Sequence, residues 1–375
     1  MSGDLRPDGA PRGEAAIPDS TANTTDEKPA SVLAHGARVL PAVSVDTYNE
    51  ELREEEGFVG DRASGRAFRA ILDDWRDKLR AQGEDPFDDI PTQQISKAKL
   101  DKVLAGADPL AAGLVHTAVE EFAVELATVV RRYLRLKAWQ ATERIVVGGG
   151  LSFSHIGELA VGRAAVLLAG EGTTVELRTI SKHPDQAGLI GAVQLAPSWV
   201  LAGHDAILAA DVGGTNIRVG VVELNLKKGD VSKAAVWKFL HWRHRDEQPT
   251  RDEALDRMAS MAEELIALAG KEKLKLAPFV GIGCPGLIDE RGVIVSGGQN
   301  LPGNWEGPEF NLAREIAKRL PRLGGHEPAV IMHNDAVVQG LSEVPNMKDI
   351  ARWGVLTIGT GLGNARFTNR AEDTT

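Results

Sequence analysis

The sequence predicts an α/β protein of two lobes. Three observations carry that expectation: helical and strand-like apolar periods alternate along the chain, three glycine-rich loops each follow an apolar strand, and 43% of the 375 residues are hydrophobic, enough to fill substantial cores.

Residues 1–30 are rich in Pro, Gly, Asp, Ser and Thr with almost no large apolar side chains, so they read as a disordered arm. The acidic run Glu50, Glu51, Glu54, Glu55 and Glu56 reads as a solvated helix face. Helical spacing follows over Asp61 to Arg80 (Phe68, Ile71, Leu72, Trp75, Leu79) and again through Val115, Val119, Phe122, Leu126 and Val130. The strand Arg144 to Val147 opens into Gly148-Gly149-Gly150. It is followed by a helix over Ile156 to Leu168, a strand over Val175 to Ile180 and a small-residue helix over Gly188 to Ala196. Ala206 to Ala210 reads as a strand leading to Asp211, Val219 to Leu224 as its return, Val236 to Trp242 as an alternating strand and Arg251 to Ala269 as a helix. Phe279 to Gly283, Ala329 to Met332 and Gly354 to Ile358 read as buried strands, with a helix starting at Asp335.

With 43 basic and 53 acidic residues the net charge is -10, which disfavours a general nucleic-acid or membrane-surface binder and points to a small-molecule partner. No apolar run approaches the ~20 residues of a membrane span, and the first residues lack a signal-peptide pattern, so a cytoplasmic location is expected. Cys284 is the single cysteine, which rules out an intrachain disulfide or a multi-cysteine zinc cage; it reads as a small buried hydrophobe.

The chemistry concentrates in the loops. In Asp211-Val212-Gly213-Gly214-Thr215-Asn216-Ile217-Arg218 two glycines bare the backbone N–H groups to an anion. Thr215 adds a hydroxyl donor, Arg218 fixed positive charge, and Asp211 a carboxylate able to hold a hydrated Mg2+. The plain alternative is a tight hairpin turn. Gly359-Thr360-Gly361-Leu362-Gly363 repeats the theme and can face the β- and γ-phosphates from the other side. Gly148-Gly149-Gly150 would let an adenine or ribose lie against main chain, or would serve only strand-to-helix packing. Asn334-Asp335 ends a strand and starts a helix. Asp335 could be an N-cap, or could take a proton from a hydroxyl nucleophile with Asn334 binding the same substrate. Gly297 to Trp305, with Gly298 and Asn300, offers amides and bare backbone to sugar hydroxyls, as a polar surface loop also would.

Together these residues resemble the ROK family of bacterial sugar kinases and repressors, within the actin-like/hexokinase ATPase superfamily. Leu208 to Gly220 resembles the family's first phosphate motif, Gly281 to Asp289 its interlobe segment, Asn300 to Trp305 its sugar loop, Asn334-Asp335 its catalytic pair and Gly354 to Gly363 its second phosphate motif. Ile145 to Leu151 and Asp185 to Ala192 resemble the adenosine strand and closing helix that normally end such proteins. Ala34 to Pro41, around His35, and Gly57 to Phe68 resemble its substrate- or zinc-binding histidine and the segment after its zinc cysteines.

The resemblance implies an actin-like ATPase fold of ribonuclease H-like lobes with a cleft between them, circularly permuted, the cut lying between the second phosphate hairpin and His35. It divides the chain into the arm (1–30), a first part of the larger lobe (31–198), the smaller lobe (199–328) and a second part of the larger lobe (329–375). It implies an ATP- and Mg2+-dependent hexose kinase with Asp335 as general base, Asn300, Asn334, Gly298, His35 and Asp61 on the sugar, the three glycine loops on ATP, and a homodimer like its relatives. The zinc cysteines are missing, with Phe58 at one such position, so no structural zinc is expected. Two sugar-binding glutamates align with Val32 and Gly60, and Asp61 stands beside the second. Their loss leaves a non-catalytic sugar or nucleotide sensor as the alternative. Two partial copies fused head to tail would explain the motif order as well. No basic helix-turn-helix precedes the lobes, which disfavours the repressor branch.

Overall fold

The computed structural model describes residues 33–371 apart from 56, 228 and 229. The expected disordered arm and Val32 lie outside the described residues. Ten strands build two five-stranded sheets: β1 (Val43–Tyr48), β2 (Arg144–Gly148), β3 (Glu176–Thr179), β4 (Ala206–Val212), β5 (Ile217–Glu223), β6 (Ala235–Trp242), β7 (Leu276–Cys284), β8 (Ala329–Asn334), β9 (Arg352–Ile358) and β10 (Leu362–Asn369). One sheet has the order β1-β10-β9-β2-β3 and the other β6-β5-β4-β7-β8.

The two sheets share one pattern. In each, three strands meet antiparallel and two more add in parallel: β6–β5–β4, then β7 and β8, against β1–β10–β9, then β2 and β3. In the second sheet those five strands follow chain order. In the first they do so only if β9 and β10, at the end of the chain, are counted before β1. The start of β1 and the end of β10 meet where that order closes, since Arg370 N donates to Ala42 O at 3.0 Å. The expected two-lobed α/β architecture is what the sheets form, with one correction. Ala329–Asn334 pairs with β7, so it belongs to the sheet of the smaller lobe, and the boundary falls after residue 334 rather than before 329.

Helices α1 (Gly65–Arg80), α2 (Lys97–Leu104), α3 (Pro109–Arg135) and α4 (His155–Gly170) pack against the first sheet around Phe68, Phe122, Leu126 and Ile145. Their starts carry the expected chemistry. Ser64 caps Ala67 N, and Asp108 caps Leu110 N and Ala111 N ahead of Pro109. On the other lobe α6 (Arg251–Lys271), started by a reciprocal Thr250/Glu253 capping box, and α7 (Leu312–Arg319) cover the second sheet around Leu208, Val219, Met258 and Ile316.

Between the sheets lie α5 (Pro184–Gly191) and α8 (Asp335–Leu341), each following the fifth strand of its own sheet. They cross where a Cβ on Gly191 would strike the carbonyl of Val338, and only glycine admits that approach. The core around them joins residues of both sheets, among them Ile207, Phe279, Val337, Trp353 and Phe367.

The acidic run is not a helix. Arg53–Glu54 pairs with Gly57–Phe58 in a two-residue hairpin, and Glu54 is held by Arg62 at 2.7 Å and Arg132 at 2.8 Å. Those ion pairs, rather than solvent, satisfy its charge. The expected Gly188–Ala196 helix begins earlier, at Pro184, and ends in a 3-10 turn over Ala192–Leu195.

Candidate active site

The candidate residues cluster at the C-terminal ends of the parallel strands, where an open α/β sheet leaves a crevice. A recess of about 340 Å³, lined by Gly203, His204, Ile266, Lys275, Leu276 and Arg322 among others, lies at the opposite strand ends and carries none of these groups.

Strands β4 and β5 place Asp211 opposite Arg218, whose Nη1 reaches Asp211 Oδ2 at 3.0 Å. The same guanidinium grips Asp185 at the start of α5, at 2.6 Å. Gly188 makes room for this arrangement, because a Cβ there would lie 2.7 Å from Asp211 Cγ. The turn over Gly213 to Asn216 is braced from behind. His244, buried, meets Gly213 O at 2.8 Å, and His241 meets Asn216 Oδ1 at 2.9 Å. Neither histidine was legible as part of the loop, since both arrive from the far end of β6.

At the end of β8 the sequence left the cap ambiguous, and the geometry assigns it one residue early. Asn334 is the N-cap of α8: its Oδ1 accepts Ala336 N at 3.0 Å and Val337 N at 3.3 Å, while Nδ2 donates to Gly286 O at 3.0 Å. Asn334 is 2% exposed and both ends of its amide are engaged, Oδ1 in the cap and Nδ2 at Gly286. Asp335 is thereby left with a single backbone partner, Ala336 N at 2.9 Å, and keeps partial exposure. Burial, and then the charge of Asp211, push its carboxyl up to about 7. Burial also raises Asp211, partly offset by Arg218. Two carboxylates that resist ionising together suit a proton acceptor beside a cation. Cys284, between them, is fully buried with its thiol pushed well up, which makes it an inert filler.

The second glycine loop closes the β9–β10 hairpin, with Gly359 N donating to Gly361 O at 2.9 Å and Gly363 packed against Thr357. It faces the first loop directly: Thr215 Oγ1 and Thr360 Oγ1 lie 3.2 Å apart. The start of α1 supports it, Gly65 N donating to Gly359 O at 2.9 Å and Arg66 Nε to Thr360 O at 3.0 Å. The third loop turns at Gly149, where φ is +89° and an added Cβ would meet the Ile358 backbone, so β2 and β9 end side by side. Gly148 lies against Gln339 of α8 and Gly150 O accepts from Lys97 Nζ.

In the sugar loop Asn300 is exposed and its Cβ packs on Gly214, joining this loop to the first phosphate loop. Gly298 N donates to Glu306 Oε1 at 2.7 Å, so that amide is already satisfied. His35 does not join this cluster in any described contact. Its Nδ1 accepts Met332 N at 3.3 Å and its ring lies against Gly292, while burial lowers its pKa. Asp61 is exposed and faces Arg66 at 3.7 Å, beside the second phosphate loop, and Gly60 lies against Leu362. Among the described residues no three His, Cys, Asp or Glu side chains are grouped to hold a metal ion. Asp211 offers one carboxylate oxygen free of Arg218, which fits Mg2+ carried on phosphates and water, not an all-protein cage.

Residues 207–372, from β4 to the end of β10, match the profile of the ROK family. The matched segment spans under half of the chain. That segment holds Asp211, Asn300, Asp335 and the first and second glycine loops. A glucokinase of Thermotoga maritima is 28% identical over 173 residues, 44% of each chain, so this protein spans under half the length of that curated relative. A ROK hexokinase from Thermus thermophilus shares 23% identity over 35% of each chain, with a TM-score of 0.26. No helix among the described residues is long and apolar enough to cross a membrane.

Proposed function

We propose that this protein phosphorylates a hydroxyl of a hexose or hexose derivative with ATP. The observation that carries the reading is Asp335: a carboxylate excused from helix capping, poised near neutral pH, at a cleft floor faced by two glycine loops that meet at Thr215 and Thr360. The sugar hydroxyl would donate its proton to Asp335 as its oxygen attacks the γ-phosphorus, and ADP would leave along the Gly359–Gly363 side. Backbone N–H groups of both loops would stabilise the equatorial oxygens, so catalysis is positional and electrostatic. Mg2+ retained beside Asp211 would neutralise charge on the β- and γ-phosphates. Asn300 is the side chain free to orient the sugar, with Gly298 and Glu306 fixing its loop. In this reading the enzyme works in the cytoplasm and as a homodimer.

We also infer that the chain is a circular permutation of the family order. The shared pattern of the two sheets supports it, as does a family match that begins at β4 and runs to the end of β10. The test of function is ADP release with Mg-ATP across hexoses, N-acetylhexosamines and their epimers, with Asp335→Asn as control. Sugar-dependent turnover lost in the control supports the kinase. A second reading, a sugar or nucleotide sensor on the same fold, is favoured by Gly60 lacking a carboxylate and by His35 being engaged at Met332. Nucleotide binding without turnover on any sugar would select it.

A further inference from the structure

Two cations near the third glycine loop have, among the described residues, no partner of opposite charge. Arg69, half-buried on α1, donates through Nη1 to Thr92 O at 2.8 Å. Lys97, half-buried at the start of α2, donates to Gly150 O. Among the described residues neither has a carboxylate within ion-pair distance, and the two carboxylates whose field reaches Lys97 are committed elsewhere. Asp185 is held by Arg218 at 2.6 Å, and Asp101 Oδ1 accepts Ile156 N at 3.0 Å at the start of α4. Burial depresses the pKa of both cations, and for Lys97 the charge of Arg69 lowers it further. Partly desolvated like charges held together without a counter-charge are costly unless an anion completes the site.

Their position says which anion. Arg66, one turn before Arg69 and on the same face of α1, touches Thr360 O in the second phosphate loop. Lys97 touches Gly150 in the turn assigned to the nucleoside. Arg69 and Lys97 therefore stand between the loop for the transferred phosphate and the turn for the nucleoside. We propose that Arg69 and Lys97 form a clamp on the non-transferred part of the nucleotide's phosphate chain. This rests on the nucleotide reading above. It gives the site a preference for nucleoside di- and triphosphates over the nucleoside, by charge-assisted contacts that the glycine loops alone do not supply.

Calorimetric titration of ADP, inorganic pyrophosphate and adenosine into the wild type, Arg69→Gln, Lys97→Gln and the double variant tests the clamp, with thermal unfolding run on each. Each single change is expected to weaken ADP roughly 10-fold and to flatten the salt dependence of its binding, while adenosine affinity holds. Lys97→Arg should recover most of the loss. Equal ADP and pyrophosphate affinity in the double variant and the wild type overturns the clamp, and so does a parallel loss of adenosine binding, which marks a structural role. Sugar turnover measured on the same samples separates the two proposals. Turnover with ADP affinity unchanged in the double variant removes the clamp and leaves the kinase. Pyrophosphate binding that depends on Arg69 and Lys97, in a protein that phosphorylates no sugar, keeps the clamp and removes the kinase.

Discussion

Asp335→Asn is expected to make the folded protein more stable, in a pH-dependent way. The carboxyl moves from 3.8 to about 7 on folding, because burial and the charge of Asp211 disfavour its ionised form. For an acid raised in the folded state the stabilising contribution is complete below the unfolded pKa, and is lost as pH rises through the folded one. Asp335 therefore weighs against the fold above about pH 7. A shift of about 3 units corresponds to an upper bound of about 4 kcal/mol. Asp335 keeps some solvent contact, and water and the Asp211–Arg218 pair screen part of the field. An effect of about 1–2 kcal/mol is the working expectation at pH 8. Asparagine keeps the one hydrogen bond Asp335 accepts, from Ala336 N, and carries no charge towards Asp211. Urea unfolding of wild type and variant at pH 4, 6 and 8, without nucleotide or Mg2+, measures the gap. It should be near zero at pH 4, where the wild-type carboxyl is protonated when folded, and widest at pH 8. A variant no more stable than wild type at pH 8, or a gap independent of pH, would refute both the burial of the charge and its coupling to Asp211.

The same residue sets the expected rate profile. Sugar-dependent kcat/KM should fall below about pH 7 as Asp335 takes up its proton, and Asp335→Asn should lose at least ~100-fold in turnover with ADP affinity retained. Gly188→Ala puts a methyl 2.7 Å from Asp211 Cγ, which should cost about 1–3 kcal/mol of stability and displace the carboxylate from Arg218, read by denaturation and by weaker Mg-ATP binding. Arg76→Met breaks a fully buried ion pair with Asp85 at 2.9 Å, together with a bond to Thr92 Oγ1, and should cost about 3–5 kcal/mol by chemical denaturation.

The legible parts of the fold were those with a local physical signature. Apolar runs such as Ala206 to Ala210 and Ala329 to Met332 are strands because both their faces are covered, and each glycine loop has one position where an added Cβ would collide: Gly149 with Ile358, Gly214 with Asn300 and Gly363 with Thr357. Strand β1 was not read, since Val43–Tyr48 carries Ser, Asp and Thr between its apolar residues and owes its place to pairing with β10, more than 300 residues away in the chain. The acidic run misled for the complementary reason: Glu54 finds Arg62 and Arg132 only once α1 and α3 have packed. At the site, Asp211 and Asp335 were readable because each ends an apolar strand. Whether Asn334 or Asp335 caps α8 is decided by backbone angles that neither residue type dictates. Lys97 and His244 could not be seen, since each reaches a loop from a distant element, and Arg69 stands beside Lys97 only in the fold; a lone basic residue carries no spacing signal.

The repeated sheet pattern makes a last prediction, about chain order. Every strand pair, the α5–α8 crossing and the Thr215–Thr360 contact depend on position and not on which segment is made first. The segment from Ala202 to Asp205, between a short helical turn at Ser198–Leu201 and β4, is largely exposed and turns at Gly203 with φ +79°. Such a loop tolerates new termini. A chain opened there, with residue 371 joined to residue 33 by a flexible linker of roughly 15 residues spanning about 20 Å, places β9, β10, β1, β2 and β3 in sequence order. Loop-closure entropy changes only logarithmically with length, so the rearranged protein should unfold within about 1–2 kcal/mol of the original and keep its nucleotide affinity. If the two present halves were instead partial copies that complete each other between chains, moving the connection would change how they pair. Sedimentation would then show a changed assembly and the cleft would be lost. A folded, nucleotide-binding rearranged chain of unchanged assembly state supports one permuted unit. An unfolded or reassembled product refutes it.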